Sequence, residues 1–161
     1  MKQVIIINGN CGVGKDTMIE FAKRKFKIRN VSSIDPIKEI ARIGGWREKD
    51  EKGRRLLVNL KELFIEFNDL PTNYLIKQYN QFLKSDEHLM FAHIREPEEI
   101  DKFKKISQAK TLLITRSQSA AIDCGRNNVK YTYDFLFAND GDTISENGEN
   151  FIKFLFECLF K

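Results

Sequence analysis

The residues Gly9-Asn10-Cys11-Gly12-Val13-Gly14-Lys15-Asp16-Thr17 combine what a polyphosphate needs. Glycines let a backbone curl until successive N–H groups converge on one anion. A helix beginning near Lys15 aims its positive dipole end at the same point. Lys15 adds a compact charge for terminal phosphates. The spacing Gly9…Gly14-Lys15 fits G-x-x-x-x-G-K, the phosphate-binding loop between a strand and a helix. Asp16 stands where the usual pattern has Ser or Thr for magnesium, and Thr17 follows it.

Further polar residues fall where such a loop needs partners. Phosphoryl transfer requires two anions held in line and their charge neutralised. Arg95 and Arg116 each follow an apolar segment, at a predicted strand end, where a planar guanidinium can grip a phosphate. Arg54 and Arg55 sit at a predicted helix start, where cations oppose the helix dipole, so phosphate binding would explain them. Lys38 and Arg42 read as a solvated face. Asp35 reads both as a helix N-cap and as an acid beside the acceptor. Arg126 and Lys130 lie in a polar stretch, 117–132, long enough to be a lid. No aspartate stands in the apolar strands to complete a magnesium site. His93 occupies that place and reads as a packed strand residue.

These residues need a scaffold, and the pattern supplies one. Val4-Ile5-Ile6-Ile7 is apolar on both faces, as in a buried parallel strand over 3–8. Helical spacing follows over about 15–28, 35–43, 56–68, 71–84, 97–106 and the C-terminal segment. The long helix to 68 presents Leu56, Leu60, Leu63, Phe64 and Phe67 as its apolar side. Short apolar runs at 30–34, 88–94, 111–115 and 134–138 predict four more strands. The alternation implies an α/β fold: a three-layer, doubly wound parallel sheet of about five strands. Ligands in such sheets gather at the carboxyl ends of the strands.

Composition sets the outer limits. The 161 residues fit one domain, and 42% hydrophobic content supports a real core. A net charge of +4 is too mild for a nucleic-acid surface, yet suits a polyphosphate pocket. No apolar run is long enough to span a bilayer, and no secretory pattern precedes the first strand. Three widely spaced cysteines, Cys11, Cys124 and Cys158, fit a reduced, cytoplasmic protein. The expected partners are small molecules, with neither nucleic acid nor membrane, in a monomer or homodimer.

Taken together, these motifs resemble the P-loop nucleoside monophosphate kinases, most closely the phage-type deoxynucleoside monophosphate kinases. Gly14-Lys15-Asp16-Thr17 carries the likeness, and other stretches agree. Asp35-Pro36-Ile37-Lys38 is similar to a Gly-Pro-Ile-Lys segment beside the acceptor. Arg54-Arg55-Leu56-Leu57 resembles an Arg-Arg-Leu-Met helix start, and Asn73-Tyr74 a later aromatic helix. Arg95-Glu96-Pro97-Glu98-Glu99 resembles an Asp-x-Arg-x-Pro-x-Glu stretch. Tyr133-Asp134-Phe135 through Asn139-Asp140-Gly141 resembles the strand and turn flanking the donor base. The departures are His93 for an Asp and Lys61-Glu62 for a Gly-Thr pair.

The resemblance implies ATP-dependent transfer to a (deoxy)nucleoside monophosphate, with ATP and magnesium bound. It implies one kinase domain over 1–161, with a helical acceptor insert over about 35–84 and a lid over about 117–132. Gly9 to Thr17 and Asn139 would hold the nucleotide. Lys15, Arg95 and Arg116 would stabilise the transferred group, and Asp16 would hold magnesium. Asp35, Lys38, Arg54, Arg55, Arg95 and Arg126 would surround the acceptor. The alternatives are a kinase of another phosphorylated metabolite, like the dephospho-CoA and phosphomevalonate kinases, and a nucleotide-binding regulator without catalysis. A GTPase switch is disfavoured, because no Asn-Lys-x-Asp base motif exists.

Overall fold

A computed structural model describes residues 2–117 and 130–159. Arg126 and Cys124, with most of the expected lid, lie outside the described residues. Five strands form one sheet: β1 (Gln3–Asn8), β2 (Ile28–Ser32), β3 (Leu89–His93), β4 (Lys110–Thr115) and β5 (Phe135–Ala138). Their order is β2-β3-β1-β4-β5, and every pairing is parallel. Six helices connect them: α1 (Lys15–Ala22), α2 (Asp35–Ile43), α3 (Glu51–Asn68), α4 (Leu70–Lys84), α5 (Pro97–Ser107) and α6 (Ile144–Leu159).

β1 explains the layering. Its run is apolar throughout because both faces are covered. Ile5 and Ile7 pack with Met18 and Ile19 of α1 and Phe151 and Leu155 of α6. Val4 and Ile6 pack with Leu75 and Phe82 of α4 and Ile100 and Phe103 of α5. A smaller cluster of Ile37, Ala41 and Leu57 joins α2 to α3. The chain lays β2 and β3 on one side of β1 and β4 and β5 on the other. The phosphate loop therefore leaves β1 at the switch point of the sheet.

Several expectations are corrected. Helix α1 stops at Ala22, not near residue 28, and β2 starts at Ile28. Helix α3 begins at Glu51, capped by the Asp50 side chain, which accepts from the Gly53 N–H at 2.6 Å. Arg54 and Arg55 thus fall inside the helix. The inner face of α3 is Gly53, Leu57 and Lys61, while Leu63 and Phe67 are exposed. Leu60 and Phe64 pack against the α2–α3 cluster as spacing predicts, whereas Leu56, Leu63 and Phe67 lie outside and Lys61 lies inside.

Candidate active site

The loop from Gly9 to Gly14 is shaped by contacts that tolerate no side chain at two places. At Gly14 (φ 89°) a Cβ would lie 2.6 Å from the Asn139 amide nitrogen. At Gly9 (φ 151°) it would lie 2.5 Å from the Ile114 carbonyl oxygen. The loop closes onto α1, whose N-terminus carries no side-chain cap. Its first N–H groups are therefore left for an anion.

Two asparagines hold the cradle. The Asn8 carboxamide oxygen accepts from the Gly9 N–H at 2.8 Å. Asn139, at the end of β5, is buried, and its Nδ2 donates to the Val13 carbonyl at 2.7 Å. Its backbone N–H is anchored to the Thr115 carbonyl at 2.8 Å. Sequence predicts nucleotide contact for Asn139, whereas its observed bond is to the loop itself.

The Lys15 ammonium donates to the Gly9 and Asn10 carbonyls at 2.8 and 2.9 Å. Burial and the nearby Arg95 guanidinium lower its pKa, and Asp16 partly opposes them. Arg95, two residues past the end of β3, thus reaches the field of the loop. Asp16 and Thr17 are exposed on the first turn of α1.

A second group of polar side chains gathers at the ends of β2 and β3. Asp35 is the first residue of α2, and its carboxylate turns back to accept from the Ser32 N–H at 2.7 Å. Ile34, not Asp35, takes the cap position. Lys38 stands 3.8 Å from Asp35. Burial and the approach of Lys49 lower the Lys38 pKa.

His93 ends β3 beside β1, in register with Ile7 and Ser32. Its Nε2 lies 2.9 Å from the Asn30 carboxamide oxygen. Burial, outweighing the nearby Asp16, lowers its pKa to about 4. Its register partners are Ile7, two residues before the phosphate loop, and Ser32, three residues before α2, and the charges of Lys15, Asp35 and Lys38 also act on the ring.

One cluster escaped sequence reasoning. Lys61 of α3 is buried and donates to Glu96 at 2.7 Å and to Glu99 at 2.8 Å. It also reaches Ser33 Oγ at 3.3 Å. The lysine ties the helical insert to the segments carrying Asp35 and Arg95. Burial pushes the Glu99 carboxyl well above its ordinary value. For Glu96, hydrogen bonding from Glu99 and the charge of Lys61 outweigh burial and hold it low. The available signal was Lys61 standing four residues after Leu57 and three before Phe64, on one helix face, with two glutamates three apart at the start of another helix.

Other predicted residues are not brought to this centre. Arg54 and Arg55 are exposed, and Arg55 pairs with Glu51 one turn earlier at 3.8 Å. Arg116 is exposed beside Asp140, which Ser117 binds through its N–H and hydroxyl, both at 2.7 Å. Cys158 is a free thiol. Among the described residues no helix is long and apolar enough to cross a membrane. A surface depression of about 330 Å³ on α4, between Asn73 and Lys84, takes no part in the site.

Among the described residues no three metal-ligating side chains cluster. The donor set still fits magnesium, which keeps several waters and binds one or two carboxylates plus substrate phosphates. Asp16 would supply that carboxylate.

No protein-family model and no curated protein matches the sequence. Solved structures do match. A shikimate kinase from Bacteroides thetaiotaomicron is 15% identical, with 99% of each chain covered and a TM-score of 0.52. A sugar kinase from a Janibacter species is 9% identical, covering 99% of this chain and 95% of that one, with a TM-score of 0.57. A shikimate kinase from Aquifex aeolicus is 12% identical, covering 99% and 100%, with a TM-score of 0.52. These likenesses show the fold: a five-stranded parallel P-loop sheet of the shikimate-kinase type.

Proposed function

We propose that this protein is an ATP-dependent phosphotransferase acting on a small anionic metabolite. One observation carries the reading. An uncapped helix N-terminus and a lysine resting on loop carbonyls lie in the field of Arg95, just past the end of β3, while Lys38 of α2 lies in the field of Asp16 on that same helix. A triphosphate would take the loop carbonyls' place at Lys15. Arg95 and Lys38 would hold the acceptor's anionic part. Magnesium, when bound, neutralises charge on the donor phosphates. The protein's own work is positioning and charge stabilisation.

The resemblance in sequence names a (deoxy)nucleoside monophosphate as acceptor. The second reading is transfer to another phosphorylated metabolite, and His93 in place of an aspartate favours it. Relatives in fold named as shikimate and sugar kinases are in keeping with a small acceptor. The test incubates the protein with ATP, magnesium and a panel of nucleoside and deoxynucleoside monophosphates, with diphosphate products as readout. ATP binding without transfer to any acceptor would leave a regulator instead. No binding of any triphosphate by calorimetry would end the reading.

A further inference from the structure

We propose that His93 accepts the proton of the acceptor's attacking hydroxyl, so that this site phosphorylates an alcohol group on an anionic metabolite and not a phosphate oxygen. The inference rests on the phosphotransfer reading above and names the chemistry of its acceptor.

The first support is the tautomer. The Asn30 oxygen that faces the ring can only accept, so Nε2 carries the hydrogen of the 2.9 Å bond. Nδ1 is then left with a lone pair, and it has no partner among the described residues. A side chain from the neighbouring strand thus fixes the ring as a hydrogen-bond acceptor.

The second support is position. The His93 carbonyl accepts from the Ser33 N–H at 3.1 Å, which pins the end of β3 to β2. The ring lies in the field of Lys15 and Asp16 from the phosphate loop and α1, and of Asp35 and Lys38 from α2. In register, His93 stands beside Ile7, where β1 leads into the phosphate loop, and beside Ser32, where β2 leads into α2.

The third is charge. Burial keeps the imidazole neutral through the physiological range, and its lone pair stays available. A bound triphosphate adds negative charge nearby, which raises the basicity of the ring. A phosphate dianion has no proton to give and would set its own lone pairs against Nδ1. A hydroxyl donates to Nδ1 directly.

In the step, the hydroxyl proton passes to Nδ1 as the oxygen bonds to the γ-phosphorus. The bond from that phosphorus to the bridging oxygen breaks, and its electron pair leaves on ADP. The imidazolium then releases its proton to water. Arg95 and Lys38 hold the acceptor's anionic substituent.

The natural acceptor need not be identified first, because water is itself an attacking hydroxyl. ATP hydrolysis by the wild-type protein is compared with His93→Gln, whose amide can keep the bond to Asn30 but offers no lone pair at the Nδ1 position. Hydrolysis should fall on the order of 10²-fold or more, with affinity for a non-hydrolysable ATP analogue unchanged. In His93→Ala, added imidazole should restore turnover saturably. Transfer should occur to shikimate, gluconate or dephospho-CoA and not to deoxynucleoside monophosphates. Hydrolysis within a few-fold of wild type in His93→Gln, or transfer to monophosphates alone, would overturn the inference while leaving the phosphotransferase standing. No analogue binding to the wild-type protein would overturn the phosphotransfer reading itself, and this inference with it.

Discussion

Asn139→Ala should loosen the phosphate loop without touching a phosphate ligand. The lost bond is Nδ2 to the Val13 carbonyl at 2.7 Å, and both residues are buried. A buried carbonyl left without its donor costs about 1–3 kcal/mol. The Asn139 Oδ1 atom is itself buried without a partner, so removing it returns part of that cost. The net destabilisation should be about 1–2 kcal/mol, a drop of roughly 2–8 °C in Tm for a domain of this size. The loop would also have to be re-ordered on binding, so ATP-analogue affinity should fall about tenfold for each 1.4 kcal/mol of lost order. Asn139→Asp should be worse, because a carboxylate repels both the carbonyl and the incoming phosphates. Thermal unfolding and calorimetric titration check both effects. If Asn139→Ala keeps wild-type Tm and affinity, Asn139 does not hold the loop.

Other outcomes follow from the same contacts. Lys15→Ala should abolish measurable transfer while the fold survives, read as product formation beside an unchanged far-ultraviolet circular dichroism spectrum. Lys61→Met should destabilise by about 3 kcal/mol or more, because it leaves Glu96 and Glu99 without their cation, and urea midpoints measure it. Gly148→Ala should push a methyl into the Phe21 ring, 2.1 Å away, and cost about 1–3 kcal/mol in thermal unfolding. Two buried groups should also pull stability in opposite directions over the mildly acid range. The unfolded chain protonates His93 near 6.5 but the fold only near 4, so falling pH over that range favours unfolding. Glu99 has its folded value raised to about 7, so its contribution is full below 4.5 and is lost as pH rises through about 7. Urea midpoints should therefore fall with rising pH more steeply in His93→Gln, and rise with pH more steeply in Glu99→Gln, than in the wild-type protein.

The layered sheet was legible because β1 states its own burial: four consecutive apolar residues cannot alternate with solvent. The phosphate loop was legible because glycine and lysine spacing encodes local backbone shape. The face of α3 was legible in part: Leu60 and Phe64 pack inward, and Lys61 does so unannounced. Helical periodicity counts lysine as polar, whereas Lys61 is buried by carboxylates that arrive from α5 and the residue before it. The bond from Asn139 to the Val13 carbonyl was not legible for a similar reason, since the two lie 126 positions apart. For His93, a strand pattern reports burial and not the neighbour that meets the ring. Asn30, on the adjacent strand, supplies that information only after β2 and β3 pair.

With the Lys15 ammonium hydrogen-bonded to the Gly9 and Asn10 carbonyls, the cradle already supplies its lysine with internal partners. A nucleotide therefore enters by exchange, trading two internal bonds for new ones. Recognition then depends on the difference between those two sets of partners, and an anion too weak to displace the carbonyls leaves the loop closed upon itself.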